Sequence, residues 1–241
     1  MNLCCLVPTY GRPTLLQNAI ACFLAQDHPP QQRRMLILDD AGQITPQQAD
    51  GWVLVSTPVR MPSLAAKYMA LEEMDGGWAD AFVIWDDDDI YLPWHLSAHA
   101  KLLRDAAWSH PREVWSLYGG GPKLEPAGQR FWASAAVRRD LHTKINGFIP
   151  SHRAAFDQAH LRAWAAHGGE PGRPEPPSYV YGWGRATHVS ALMRGPDDTD
   201  WYGRFEISEV RRIEQFIPTM DAQTQTIYAA LAQPSQAGQS G

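Results

Sequence analysis

The chain has 241 residues, enough for one large domain with its own core. Hydrophobic residues make up 44% and charged residues 20%, a globular balance. Lys plus Arg number 21 against 26 Asp plus Glu, a formal charge of −5, which gives no support to bulk electrostatic capture of nucleic acid and leaves room only for a local basic strip.

In chain order, residues 3–7 form a continuous apolar run, the pattern of a strand buried on both faces. Pro8-Thr9-Tyr10-Gly11-Arg12-Pro13 breaks it, and Pro13 suits the first turn of a helix. Leu15, Leu16, Ala19, Ile20, Phe23 and Leu24 then recur at helical spacing. Residues 35–38 are a second buried strand, ending in Asp39-Asp40-Ala41-Gly42. Strand, helix, strand is the unit of a parallel sheet, whose ligands bind at the carboxyl ends of strands. Thr9, Tyr10, Arg12, Asp39 and Asp40 therefore share one rim, although Asp39-Asp40-Ala41-Gly42 taken alone also reads as a turn. A strand is expected at 52–56, a helix at 63–74 with Lys67 beside its apolar stripe, a strand at 81–85 and a helix at 94–107. Further on, strands are expected at 114–117, 131–134, 179–181 and 187–190, and helices at 137–144, 155–166, 209–216 and 221–231. Residues 233–241 are rich in Gln, Ser and Gly, and disorder is expected there.

Cys4, Cys5 and Cys22 lie on apolar stretches without ligand spacing and read as core thiols of a reducing compartment. No apolar run approaches membrane-spanning length, and Met1-Asn2-Leu3 leads into a strand without a charged leader. A soluble, cytoplasmic protein with no membrane insertion is expected; the sequence assigns no oligomeric state.

The 81–85 strand runs into Asp86-Asp87-Asp88-Asp89. Four adjacent carboxylates repel one another, and desolvating any of them is costly. Oxygen-only ligands suit Mg²⁺ or Mn²⁺, and such an ion commonly holds a diphosphate. The competing reading is an acidic loop before a helix, where aspartates are favoured anyway. Along an extended segment Asp86 and Asp88 project alike and Asp87 points away, toward structure or solvent.

Taken in order, Val7-Pro8-Thr9-Tyr10-Gly11-Arg12-Pro13, Leu36-Ile37-Leu38-Asp39-Asp40, Asp86-Asp87-Asp88-Asp89, Asn146-Gly147-Phe148 and Phe156-Asp157-Gln158 resemble the GT-A-fold glycosyltransferases of family 2, over residues 2–192. The resemblance implies an α/β, Rossmann-like fold with a mainly parallel sheet flanked by helices. It implies one domain over 1–205, with a nucleotide-sugar half at 1–110 and an acceptor half at 111–205, then C-terminal helices at 206–232. It further implies transfer from a nucleotide-diphosphate sugar, UDP-linked by expectation, with inversion. Pro8, Thr9, Tyr10, Arg12, Asp39, Asp40, Lys67, Asp86 and Asp87 form the implied donor site. Asp39 or Asp40 would meet the base. Asp86 and Asp88 would hold Mn²⁺ or Mg²⁺, Asp89 would support them, and Asp157 would be the catalytic base. His188 resembles a late third metal ligand, though a lone histidine is more often structural. Two departures stand out: Phe156 replaces the first acid of a Glu-Asp pair, and Asn146 replaces a glycine.

Trp132, Trp183 and Arg185 are placed on the acceptor side, where aromatics with arginine suit a sugar ring or a stacked base. Tyr181-Gly182-Trp183-Gly184 with Thr187-His188-Val189-Ser190 resembles compact phage glycosyltransferases, some of which modify hydroxymethylated bases in DNA. The acceptor is thus expected to be a glycan, a small molecule or modified DNA. A sugar-1-phosphate nucleotidyltransferase is disfavoured, because the loop at 9–13 is short and poor in Gly and Lys. A non-catalytic binding module is disfavoured by the intact acidic run.

Overall fold

The computed structural model describes residues 1–117, 121–148, 156–182 and 217–231. A seven-stranded sheet forms the centre. Its strands are β1 (Leu3–Thr9), β2 (Arg33–Asp39), β3 (Gln47–Ala49), β4 (Trp52–Ser56), β5 (Ala81–Ile84), β7 (Trp108–Ser109) and β10 (Ala136–Arg138), in the order β3-β4-β2-β1-β5-β10-β7. β4, β2, β1 and β5 run parallel, and β10 enters antiparallel beside β5. β1 and β5 are apolar on both faces and wholly buried, as the continuous apolar runs predict. Cys4, Cys5 and Cys22 are buried free thiols.

Helices α1 (Pro13–Leu24), α2 (Leu64–Asp75) and α3 (His95–Leu102) follow β1, β4 and the acidic run. Pro13 opens α1. Ser63 caps α2 by accepting from the Ala66 N–H at 3.1 Å, and Gly76 ends it in the left-handed conformation. α2 lies on β1 and β2 with Tyr68 and Leu71 turned inward. A second sheet, ordered β6-β11-β8-β9, joins β6 (Ile90–Tyr91), β8 (Glu113–Ser116), β9 (Lys123–Pro126) and β11 (Tyr179–Tyr181). α4 (Arg139–Lys144), α5 (Phe156–Gly168) and α6 (Ala222–Leu231) complete the described elements. α6 reaches back to the first half, where the Tyr228 hydroxyl donates to the Tyr91 carbonyl and the Asp221 N–H to Asn18 at 3.2 Å. Among the described residues, no helix is long and apolar enough to cross a membrane.

Three expected elements differ. Residues 131–134 make a 3₁₀ turn at Trp132–Ser134, entered through Phe131 at φ 59°, where a strand was expected. The expected 137–144 helix yields its start to β10, because Ala136, Val137 and Arg138 pair with Val83, Phe82 and Ala81; sheet pairing outweighs local helix preference. α3 stops at Leu102, and the following turns bring Ala107 to the sheet edge, where its carbonyl accepts from the Arg138 N–H at 2.9 Å. The expected elements at 187–190 and 209–216 lie outside the described residues.

A buried histidine pair sits beneath the second sheet. His95 Nδ1 meets the Ser178 hydroxyl at 2.8 Å, His99 Nδ1 meets Ser109 at 2.6 Å, and the two rings lie 4.5 Å apart. Neither Nε2 has a hydrogen-bond partner among the described residues. Burial, then the neighbouring His110, pushes His99 from 6.5 down to about 3. Below pH 6.5 the unfolded chain takes up a proton that the native ring refuses, so stability is full above that pH and falls as pH drops toward about 3. The expected outcome is a neutral His99 ring by NMR in the folded protein at about pH 5, with a melting temperature that declines below neutrality. A protonated native ring at that pH would refute the assignment.

Candidate active site

The parallel strands deliver their carboxyl ends to one rim. Thr9, Asp39 and Ser56 stand side by side in register across β1, β2 and β4. β5 ends at Ile84, and the chain then turns at Asp87-Asp88 before β6. Tyr91 closes this turn: its hydroxyl accepts from the Asp86 N–H at 2.7 Å, and its ring stacks on Trp85 at 3.7 Å. The turn replaces the extended alternation expected from sequence. Consequently Asp86, Asp88 and Asp89 can each offer one ligand oxygen, all within 4.8 Å of one another. Asp87 points into structure, where it accepts from the Thr9 hydroxyl and pairs with Arg12.

Every carboxylate here bears a different share of the electrostatic cost. Asp89, 1% exposed, accepts from the Tyr179 hydroxyl and from the Gly182 N–H at 2.8 Å, so the second sheet holds it. Asp88 accepts from Arg12 Nη1 at 2.9 Å. Burial pushes Asp87 up to about 6, against the pull of Arg12. Asp86 is driven well above the ordinary carboxylate range, first by burial and then by Asp89, Asp88 and Asp87, with Arg12 opposing. Burial works against the charge of Arg12, but Asp87, Asp88 and Asp86 outweigh it and keep the guanidinium protonated. The donor set is all hard oxygen with excess local negative charge, which fits Mg²⁺ or Mn²⁺.

Beside the cluster, Lys67 is 2% exposed and pairs with buried Asp40 at 2.5 Å, while its ammonium reaches toward the Thr9 carbonyl at 3.4 Å. Burial lowers the Lys67 pKa and Asp40 opposes that shift. Asp40 also accepts from the Met61 N–H at 2.9 Å. Asp39 accepts from the Ala41 and Gln43 N–H groups at 3.0 and 3.2 Å and from the Ser56 hydroxyl at 2.8 Å. Both acids thus organise the rim itself. Gly42, at φ 70°, lets this loop press on Pro58, where an added Cβ would come within 2.7 Å of backbone. Tyr10 is flanked by Arg60 at 4.9 Å and Lys67 at 5.5 Å from its ring centre. Pro8 lies within β1, opposite Leu38.

Asp157 lies in the first turn of α5 and is half-buried. Burial raises its pKa more than the N–H groups of that turn lower it. Trp132 is 5% exposed, stacks on Trp164 at 4.7 Å and donates to the Tyr68 hydroxyl at 3.2 Å. Phe156 stacks on Tyr68 at 5.8 Å, which fixes the start of α5 against α2. Trp183, Arg185 and His188 lie outside the described residues. Tyr91 is a residue of this turn that sequence reasoning missed; its only signal is a polar tip on an otherwise apolar strand residue.

No protein-family model matches this sequence, and no curated protein matches it. Solved structures do. S. aureus TarS residues 1–349 match with a TM-score of 0.60 at 12% identity, covering 75% of this chain and 60% of that one. The same fragment in complex with UDP-GlcNAc matches at 0.59, with 12% identity and 75% and 58% coverage. The mannosyltransferase PcManGT from Pyrobaculum calidifontis, in complex with GDP-Man and Mn²⁺, matches at 0.57 and 17% identity, covering 79% of this chain and 59% of its own. The chain therefore has a GT-A-like glycosyltransferase fold, and it spans about 60% of the length of these structures.

Lys67→Met would leave Asp40 buried without its ammonium, at a cost of about 3–5 kcal/mol. Urea unfolding should show the loss, and adding Asp40→Asn should recover part of it. An unchanged midpoint would mean that the pair does not brace the rim.

Proposed function

We propose that this chain is a metal-dependent glycosyltransferase that moves a sugar from a nucleotide-diphosphate donor to an acceptor hydroxyl. The grouping of Asp86, Asp88 and Asp89 at the strand-end rim carries the reading. A divalent ion held by these carboxylates would supply Lewis-acid stabilisation of the charge growing on the leaving diphosphate. Tyr10, with Arg60 and Lys67 around it, offers a ring for the base; Thr9, Asp39 and Asp40 shape the strand-end rim beside it. The UDP-GlcNAc and GDP-Man of the structural neighbours support a nucleotide sugar, and the Mn²⁺ of the second supports the metal. UDP is our choice of nucleotide.

Asp157 takes the proton of the attacking hydroxyl on the face opposite the diphosphate, giving inversion. Burial raises its pKa, which makes its carboxylate a better proton acceptor than that of an exposed aspartate. Trp183, Arg185 and His188 keep their acceptor and ligand roles on the sequence resemblance alone. The acceptor is a glycan, a small molecule or a 5-hydroxymethylated pyrimidine in DNA. Three buried free thiols fit work in the cytoplasm.

The test is a panel of nucleotide sugars and acceptors with Mn²⁺, followed by radiolabel. Asp88→Ala should lower transfer by about 10²–10³-fold with an unchanged circular dichroism spectrum; full activity in chelator would sink the metal reading. Asp157→Asn should bind donor normally yet transfer about 10²–10⁴-fold more slowly, and normal turnover would remove it as the base. Diphosphate release from a nucleoside triphosphate and a sugar phosphate would instead mark a nucleotidyltransferase.

A further inference from the structure

We infer that Arg12 is the resident counter-ion of the aspartate cluster and that a bound divalent ion competes with it for Asp88, releasing one guanidinium arm toward the donor diphosphate. The inference rests on the metal reading above. Its basis is the unequal fork that Arg12 makes. Nη2 is on Asp87, whose side chain is wholly buried and also takes the Thr9 hydroxyl; Nη1 is on Asp88, whose side chain is 11% exposed. The first arm holds a sealed carboxylate outside the ligand group. The second holds a carboxylate that belongs to that group, together with Asp86 and Asp89.

The charges force such an arrangement. Four carboxylates crowd one turn, and the neighbouring buried cation, Lys67, is paired with Asp40. Among the described residues, Arg12 is the cation that forms ion pairs with the cluster, and without it the repulsion among the carboxylates would be less shielded. Arg12 stands at the N-cap of α1, in the loop after β1, with 13% of its side chain exposed toward the rim. Asp88 can be released while the Asp87 arm stays in place, because the two carboxylates are held by different guanidinium nitrogens. A planar guanidinium freed on one side suits phosphate oxygens. Holding Asp88 also reduces the fraction of protein ready to take the ion, which weakens apparent metal affinity by that fraction.

A rigid brace would behave oppositely, since removing a group that orients a metal ligand weakens metal binding. The sign therefore decides. Mn²⁺ alone is titrated into wild type, Arg12→Gln and Arg12→Lys, with free Mn²⁺ read by electron paramagnetic resonance and melting followed in parallel. The expected result is a lower melting temperature for metal-free Arg12→Gln, a larger Mn²⁺-induced rise than in wild type, and Mn²⁺ bound about tenfold more tightly. If Arg12→Gln folds only with Mn²⁺, that supports the inference too, and Arg12→Lys, which keeps a charge but loses the fork, carries the titration with a smaller tightening. Unchanged or weaker Mn²⁺ binding in the folded variants overturns the competition and leaves the metal reading standing. No Mn²⁺ response in wild type removes both.

Discussion

Four carboxylates emerge within one turn at the end of a fully buried strand, and the surroundings must make that tolerable. Different parts of the fold share the task. The end of β1 and the loop after it supply Thr9 and Arg12 to Asp87, and Arg12 also reaches Asp88. The second sheet supplies Tyr179 and the Gly182 N–H to Asp89. Asp86 receives least, a field from Arg12 against three like charges, and its proton affinity rises accordingly. A cation is the remaining relief, so the same crowding that strains the resting protein is what would draw a metal and its diphosphate.

The apolar surroundings set how strong these effects are. Trp85 and Tyr91 stack below the turn, with Phe23, His95 and Tyr179 at their edges. Low polarity there makes each uncompensated charge costly and each compensating contact strong. It also keeps the His95–His99 pair neutral, so these imidazoles fill space and hold Ser178 and Ser109 without adding charge near the carboxylates. α6 closes this wall from outside through Tyr228.

A second ring assembly serves the other half. Tyr68, Trp132, Phe148 and Phe156 pack together across α2, the 3₁₀ turn and the start of α5. Tyr68 neighbours Lys67, whose ammonium braces Asp40, so one helix carries both the brace of the strand-end rim and the platform on which Asp157 is mounted. Phe156, which departs from the acidic pair expected at this point, has a packing role there. Trp132, which the sequence places on the acceptor side, is core together with Trp85 and Trp164.

Local pattern determined much of this protein. Continuous apolar runs marked β1, β2 and β5; Pro13, Ser63 and Gly76 marked helix ends; and the parallel unit put Thr9, Arg12, Asp39 and the aspartates on one rim, because those signals are written in adjacent residues. Only the tertiary structure decided how the aspartates divide. Asp89 joins Asp86 and Asp88 because Tyr91 closes the turn and Tyr179 pulls from a strand 90 positions away. Asp87 leaves the group because Arg12 and Thr9 claim it, 75 and 78 positions upstream by number. Asp39 and Asp40 turned inward because loop N–H groups and Lys67 occupy them. Val137 chose a strand because Phe82 lay beside it. Partners so distant in sequence leave no periodic trace, and a carboxylate's role depends on which charge it faces.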